Sequence, residues 1–385
     1  MGPLAGLTVI ELAGIGPAPF AGMLLSDMGA KVVRVDRRED SDLGIPGREP
    51  KFDVLGRGRQ TIAVDMKRPE GRDVVVKLCA KADALIEGFR PGVIERLGIG
   101  PEELWKTNPK LVIGRMTGFG QDGPWAVRAG HDSVYIALAG ALHAYGRKGH
   151  APTPPVNVVG DFGGGGMFLA FGIVAALLEA KTSGKGQVVD AAMVDGAAYL
   201  MGMVYGMRSA GRWQDERGVN ILDTGAPWYE AYETKDGKWL AVGAIETKFY
   251  AELLEKLGLD GRADLPKQFD MKRWPELRSA IGDTIKARTR DDWETVFDGS
   301  DACVAPVMSL DEAPKHPHMA ARKSLVTRAG VTQPAPAPRF SRTVPEMGRE
   351  ATAAGVDTDA VLAAFGFSAK EVAGLRGSGV VGRKD

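Results

Sequence analysis

Three short segments place a titratable side chain beside glycine at an expected element boundary: Gly130-His131-Asp132, Gly160-Asp161-Phe-Gly-Gly-Gly-Gly166 and Gly243-Ala-Ile-Glu246. Asp161 precedes a run of four glycines that leads into an apolar stretch starting at Met167. Substrate can approach such a backbone closely and helix-end amides can face developing negative charge, so one reading is a general base beside an oxyanion site. The competing reading is a simple helix N-cap, the commoner use of an aspartate at such a boundary. Four successive glycines are more than a cap needs. His131 taken alone is weak, since a single histidine is more often a surface or satisfied core residue than a catalyst. Glu246 could accept from one imidazole nitrogen, fix the tautomer and leave the other nitrogen facing substrate. Glu246 equally suits the start of a helix over 248–257, where the macrodipole favours a carboxylate. Spacing alone does not decide between these roles.

Other chemistries drop out. Gly14-Ile15-Gly16-Pro-Ala-Pro19, with Asp36 closing the next strand, approaches a dinucleotide fingerprint, but Pro19 stands where close helix packing wants glycine and Pro17 lacks an amide for a pyrophosphate. Arg34, Arg37 and Arg38 read either as contacts to an anionic nucleotide or as solvated turn residues. Gly184-Lys185-Gly186 lacks the rest of a phosphate loop, and there is no Gly-x-Ser-x-Gly elbow and no histidine pair at metal-ligand spacing, so no metal is expected. Lys+Arg and Asp+Glu balance at 49 each, which argues against a polyanion-binding surface. Two distant cysteines, Cys79 and Cys303, and an N-terminus without a basic signal region fit a soluble cytoplasmic protein. The apolar stretch over 167–178 is expected to be a buried helix, too short to cross a bilayer.

The elements that must hold these residues follow from patterning. At 385 residues, two domains are the natural division. Apolar runs at 7–12 and 31–36 flank a Gly/Pro loop and a helix over 20–28, and strands at 61–65, 84–87 and 111–116 with a helix over 71–81 continue the pattern. That is an open, parallel, Rossmann-like α/β sheet, assigned to a large domain over 1–200. Runs at 228–233 and 238–245 joined by Lys-Asp-Gly form a hairpin and open a small α+β domain over 225–325. The Pro/Ala-rich stretch 331–345 must run extended, and 326–385 is read as a return segment and tail packing on the large domain, with a capping box at Ser368-Ala-Lys-Glu371.

At its three glycine-flanked motifs the sequence resembles the family III CoA-transferase superfamily, and within it the alpha-methylacyl-CoA racemase branch. The similarity runs along essentially the whole chain, through Leu24-Leu-Ser-Asp-Met-Gly-Ala-Lys-Val-Val-Arg34, Ala84-Leu-Ile-Glu-Gly-Phe-Arg-Pro-Gly92 and Ser183-Gly-Lys-Gly-Gln187. In the transferases the aspartate matching Asp161 is a nucleophile; in the racemases it is a base. His131 and Glu246 match the racemase motifs. The resemblance implies 1,1-proton transfer between the epimers of a 2-methylacyl-CoA through an enolate, with His131, oriented by Glu246, and Asp161 as the two bases. It implies CoA phosphates near Arg37 and Arg90, pantetheine near Ile15 and Gly16, and no metal or redox cofactor. It also implies an interlocked homodimer in which Glu246 comes from the partner subunit. The alternative is a family III CoA-transferase in which Asp161 forms acyl anhydride and enzyme-CoA thioester intermediates, and the tail over 355–381, similar to the transferases', favours it. Met193, Met201, Met203 and Met207 suit a flexible acyl surface or a core.

Overall fold

The computed structural model describes residues 2–39 and 49–384. They form two compact units, one of Met1–Ala139, Val156–Met201 and Lys323–Asp385, the other of Gly140–Pro155 and Gly202–Arg322. Residues 140–155 therefore leave the large domain expected over 1–200. One tie is Arg147, whose guanidinium donates to both oxygens of the buried Glu230 carboxylate at 2.7 and 2.8 Å, a bidentate charge-assisted pair; Arg217, donating to the His143 and His150 carbonyls, is another.

In the first unit β1 (Thr8–Leu12), β2 (Lys31–Asp36), β3 (Arg59–Ala63), β4 (Ala84–Glu87), β5 (Val112–Thr117) and β6 (Val188–Ala192) make one sheet in the order β3-β2-β1-β4-β5-β6. Every pairing is parallel, and this is the Rossmann strand order. Successive side chains alternate between faces. Val9, Val32, Ile86 and Val112 join Ala18, Ala21 and Leu25 of α1 (Pro17–Asp27) on one side. On the other, Ile10, Val33, Leu85 and Ile113 join Val74, Val75 and Leu78 of α2 (Pro69–Cys79). With both faces covered, the strands have to read as nearly continuous apolar runs. Because strand order reverses between β1 and β4, the loops after those strands diverge and leave a crevice at their carboxyl ends.

α3 (Asp132–Leu138), α4 (Met167–Ser183) and α5 (Met193–Leu200) complete this unit, α4 packing against β5 and β6 and α3 against α5. A π-helical run, Val158–Gly166, enters α4 without a break. The joined helix spans 26 residues and is long and apolar enough, by length and composition, to cross a membrane, which revises the estimate made from 167–178. Leu169, Ala170, Ile173 and Ala176 pack into the sheet core. Met167, Phe171, Val174 and Leu178 are 49, 74, 39 and 69 % exposed. The expected buried helix is thus apolar all round but buried on one face.

The tail returns to the first unit. Thr61 N donates to the Asp357 carboxylate at 2.8 Å, Val64 bridges Val381, and Val361, Leu362, Val372 and Val380 enter the core. Ser368 and Glu371 form both bonds of the capping box. In the second unit β7 (Tyr229–Glu233) and β8 (Trp239–Gly243) form the expected hairpin, and β9 (Val304–Pro306) adds a third antiparallel strand. Gly237 takes φ +73 in the turn, where L side chains are disfavoured. α6 (Thr247–Leu257), α7 (Trp274–Lys286) and α8 (Arg290–Phe297) bury Leu253, Leu277, Ile281 and Trp293 around Trp228.

Candidate active site

A cleft of about 380 Å³ opens at the crevice between β1 and β4. Each wall has a local cause. Gly16 is the N-cap of α1 with φ +66, and Pro17 follows at the first helical position, where its missing amide has no intrahelical partner to lose. A Cβ on Gly16 would stand 3.3 Å from the Asp161 carboxylate, so glycine here leaves room at the acid. Gly14 and Ile15 complete that loop's share of the lining. The Gly88–Pro91 loop is held from beneath by Glu87, whose fully buried carboxylate accepts from Phe89 N at 2.7 Å and from Arg115 Nε at 2.8 Å. That loop brings Arg90 to the cleft, and Arg128, stacked 4.2 Å over the Trp125 ring, supplies a second cation that sequence reasoning did not single out.

His131 is exposed and sits at the N-cap of α3, its carbonyl accepting from Val134 N at 2.8 Å. Gly130 before it is explained by Tyr135: a Cβ there would stand 2.7 Å from the tyrosine ring, whose hydroxyl donates to the Gly130 carbonyl. Burial, and then the charge of Asp161, push the Tyr135 phenol up to about 12, so it stays a neutral donor.

Asp161 is not the N-cap of α4. It lies inside the π-helical run, with its carboxylate in the same cleft as His131. π-helical bulges are rare and concentrate at functional sites. The glycines after Asp161 serve packing. A Cβ on Gly164 would stand 2.6 Å from Ala197 N on α5, one on Gly196 would stand 1.8 Å from the Gly164 carbonyl oxygen, and one on Gly166 would stand 2.6 Å from Phe20. The amides of Gly160 and Asp161 are not free to receive an oxyanion either, because both donate at 2.7 Å to the buried carboxylate of Asp132. Burial raises the Asp161 carboxyl above its usual range and the Asp132 charge adds to this, while a 3.2 Å hydrogen bond from Asn157 and the nearby His131 act the other way. A carboxylate made more basic this way is suited to taking a proton.

The remaining expected residues are not among those that line this cleft. Arg37 is exposed just beyond β2 and does not line it. Asp36, the candidate ribose acid, is buried against Arg34 with Nε 3.0 Å away, and burial pushes its carboxyl up to about 6. Glu246 belongs to the second unit. It is exposed at the N-cap of α6, and its backbone carbonyl accepts from Tyr250 N at 2.9 Å.

Residues 4–358 match CoA-transferase family III. Over 381 residues the chain is 46 % identical to a Mus musculus protein named alpha-methylacyl-CoA racemase, covering 98 % of this chain and 97 % of that one. The Homo sapiens protein of the same name is 42 % identical with the same coverage. A crystal structure of a CAIB/BAIF family protein from Brucella suis superposes with a TM-score of 0.80 at 25 % identity, over 94 % of this chain and 99 % of that one. With a Rossmann-ordered sheet, an aspartate at its switch-point cleft and matches along nearly the full length, the chain belongs to the family III CoA-transferases.

Proposed function

We propose that this chain racemises 2-methylacyl-CoA thioesters by 1,1-proton transfer. The observation that carries the reading is the convergence of Asp161 and His131 on one cleft beside Arg90, and the names of the mouse and human relatives support it. Inversion at the α-carbon needs a base on each face. The Asp161 carboxylate or the His131 imidazole takes the α-proton, and the C–H electron pair delocalises into the thioester carbonyl as an enolate. The other group returns a proton to the opposite face of the same carbon, and exchange with solvent resets the pair. No oxidation state changes, so the reaction as proposed calls on no electron carrier. Arg90, with Arg37, meets the CoA phosphates, and pantetheine runs along Ile15 and Gly16. Glu246 orients the His131 ring from the partner subunit of a homodimer.

The test is one epimer of a 2-methylacyl-CoA in deuterated water with no second acid present. Loss of the α-proton signal together with drift towards an even epimer mixture is the expected result. Activity that appears only on adding a free acceptor acid, with hydroxylamine trapping an enzyme-bound thioester, would assign a CoA-transferase with Asp161 as nucleophile.

A further inference from the structure

Asp132 follows His131 directly and begins α3, yet its side chain is turned towards another element. It is 4 % exposed, and its Oδ2 accepts from both Gly160 N and Asp161 N at 2.7 Å. These amides lie in the first turn of the π-helical run, where a helix has donors without intrahelical acceptors. A Cβ on Gly160 would stand 2.8 Å from the same Oδ2, so the carboxylate approaches only because that position is glycine. Asp132 Oδ1 is buried with no hydrogen-bond partner among the described residues. Leaving one oxygen of a buried carboxylate unpaired is unfavourable, and a cap alone would be supplied as well by a neutral side chain.

We infer that Asp132 is the positioning residue that couples the two proton-transfer groups: its backbone sets His131 at the start of α3 while its carboxylate holds the amide of Asp161. The inference rests on the racemase reading. One rigid group fixes the spacing between the two bases, and its charge faces the Asp161 carboxyl and disfavours ionisation there. The other charged or titratable groups around this pair are His131 and Tyr135 from α3, Arg90 from the loop after β4 and Arg128 from the same cleft. All of them are unchanged by a substitution at 132, so the effect of its charge can be read separately from its hydrogen bonds.

The experiment compares the wild-type chain with Asp132→Asn and Asp132→Ala. It measures α-proton exchange of each 2-methylacyl-CoA epimer across pH, alongside the carboxyl ¹³C titration of Asp161 in the resting protein. Asparagine keeps an oxygen acceptor and removes the charge. In Asp132→Asn the limb due to Asp161, and its ¹³C midpoint, are expected to move to lower pH by on the order of half a unit. Asp132→Ala releases the Asp161 amide and is expected to lower kcat on the order of 100-fold with little change in KM, the signature of displaced bases. Superimposable pH profiles and ¹³C midpoints for wild type and Asp132→Asn would overturn the inference, as would a folded Asp132→Ala chain with undiminished kcat. If the alanine variant does not fold, the asparagine variant decides alone. A wild-type chain that exchanges no α-proton at any pH refutes the racemase reading, and the ¹³C midpoints still decide whether Asp132 acts on Asp161.

Discussion

Asp161 carries opposing influences that make its protonation testable. Burial raises its carboxyl, and Asn157, donating to Oδ2 at 3.2 Å, stabilises the ionised form. In the direction where Asp161 accepts the substrate proton, activity rises as pH climbs through its pKa, so that limb is expected above the usual aspartate value of about 4. Asn157→Ala removes a bond to the charged form, which raises the pKa further and moves the limb to higher pH, measurable in the pH dependence of kcat/KM. A shift to lower pH would contradict the assigned hydrogen bond. Replacing either His131 or Asp161 by alanine is expected to lower racemisation on the order of 100-fold or more, measured as epimer drift, because each face needs its own proton-transfer group. The two residues proposed as bases stand out in the sequence because His131 and Asp161 sit in short glycine-flanked motifs, although spacing alone did not assign their roles. Asp132 and Arg128 were not. Asp132 acts through a contact with residues 28 and 29 positions away, and Arg128 stacks on Trp125 three positions earlier, a local pairing whose place at the cleft depends on the fold.

At the scale of elements, the parallel sheet was readable because strands buried on both faces must be apolar runs, and β2 and β4 fall at the residues expected. The π-helical run was not, since its glycines suit a flexible loop as well as a tight contact. Its packing is testable. The clash at Gly196 is with backbone, which has little room to move, so Gly196→Ala is expected to destabilise the protein by about 1–3 kcal/mol in denaturant unfolding. Gly374, in the helix Ala369–Gly377, has open space where a Cβ would go. There Gly374→Ala is expected to stabilise by about 0.5–1 kcal/mol through helix propensity and a less flexible unfolded chain. Equal effects at the two positions would show that glycine in the π-helical contact is not a packing requirement. The sequence could not separate these cases, because the distinction lies in what stands opposite each glycine.

At the scale of the whole molecule, α4 and α5 leave apolar surface that no other described residue covers. Met167, Phe171, Val174 and Leu178 recur at the spacing of one helix face, and Tyr199 and Leu200 on α5 are exposed at 76 and 50 %. A stripe of this kind on a helix whose opposite face fills the core is characteristic of an interaction surface. If two copies pair through this stripe, Phe171→Glu combined with Leu178→Glu is expected to yield a monomer by light scattering, and an unchanged mass would take the stripe out of the pairing. The same pairing makes a prediction about chemistry, because Glu246 is exposed at a helix start in the second unit and no side chain described in the first unit hydrogen-bonds the His131 ring. If Glu246 acts across the subunit interface, a His131→Ala chain and a Glu246→Ala chain are each defective alone. A mixed dimer restores one complete site, His131 coming from the Glu246→Ala chain and Glu246 from the His131→Ala chain, while its other site lacks both. Denaturing the two variants, mixing and refolding them is therefore expected to regain racemisation that neither shows when refolded separately. If Glu246 serves the His131 of its own chain, every site in the mixed dimer keeps one lesion and no activity returns, which would remove the partner subunit from the mechanism while leaving both bases in place.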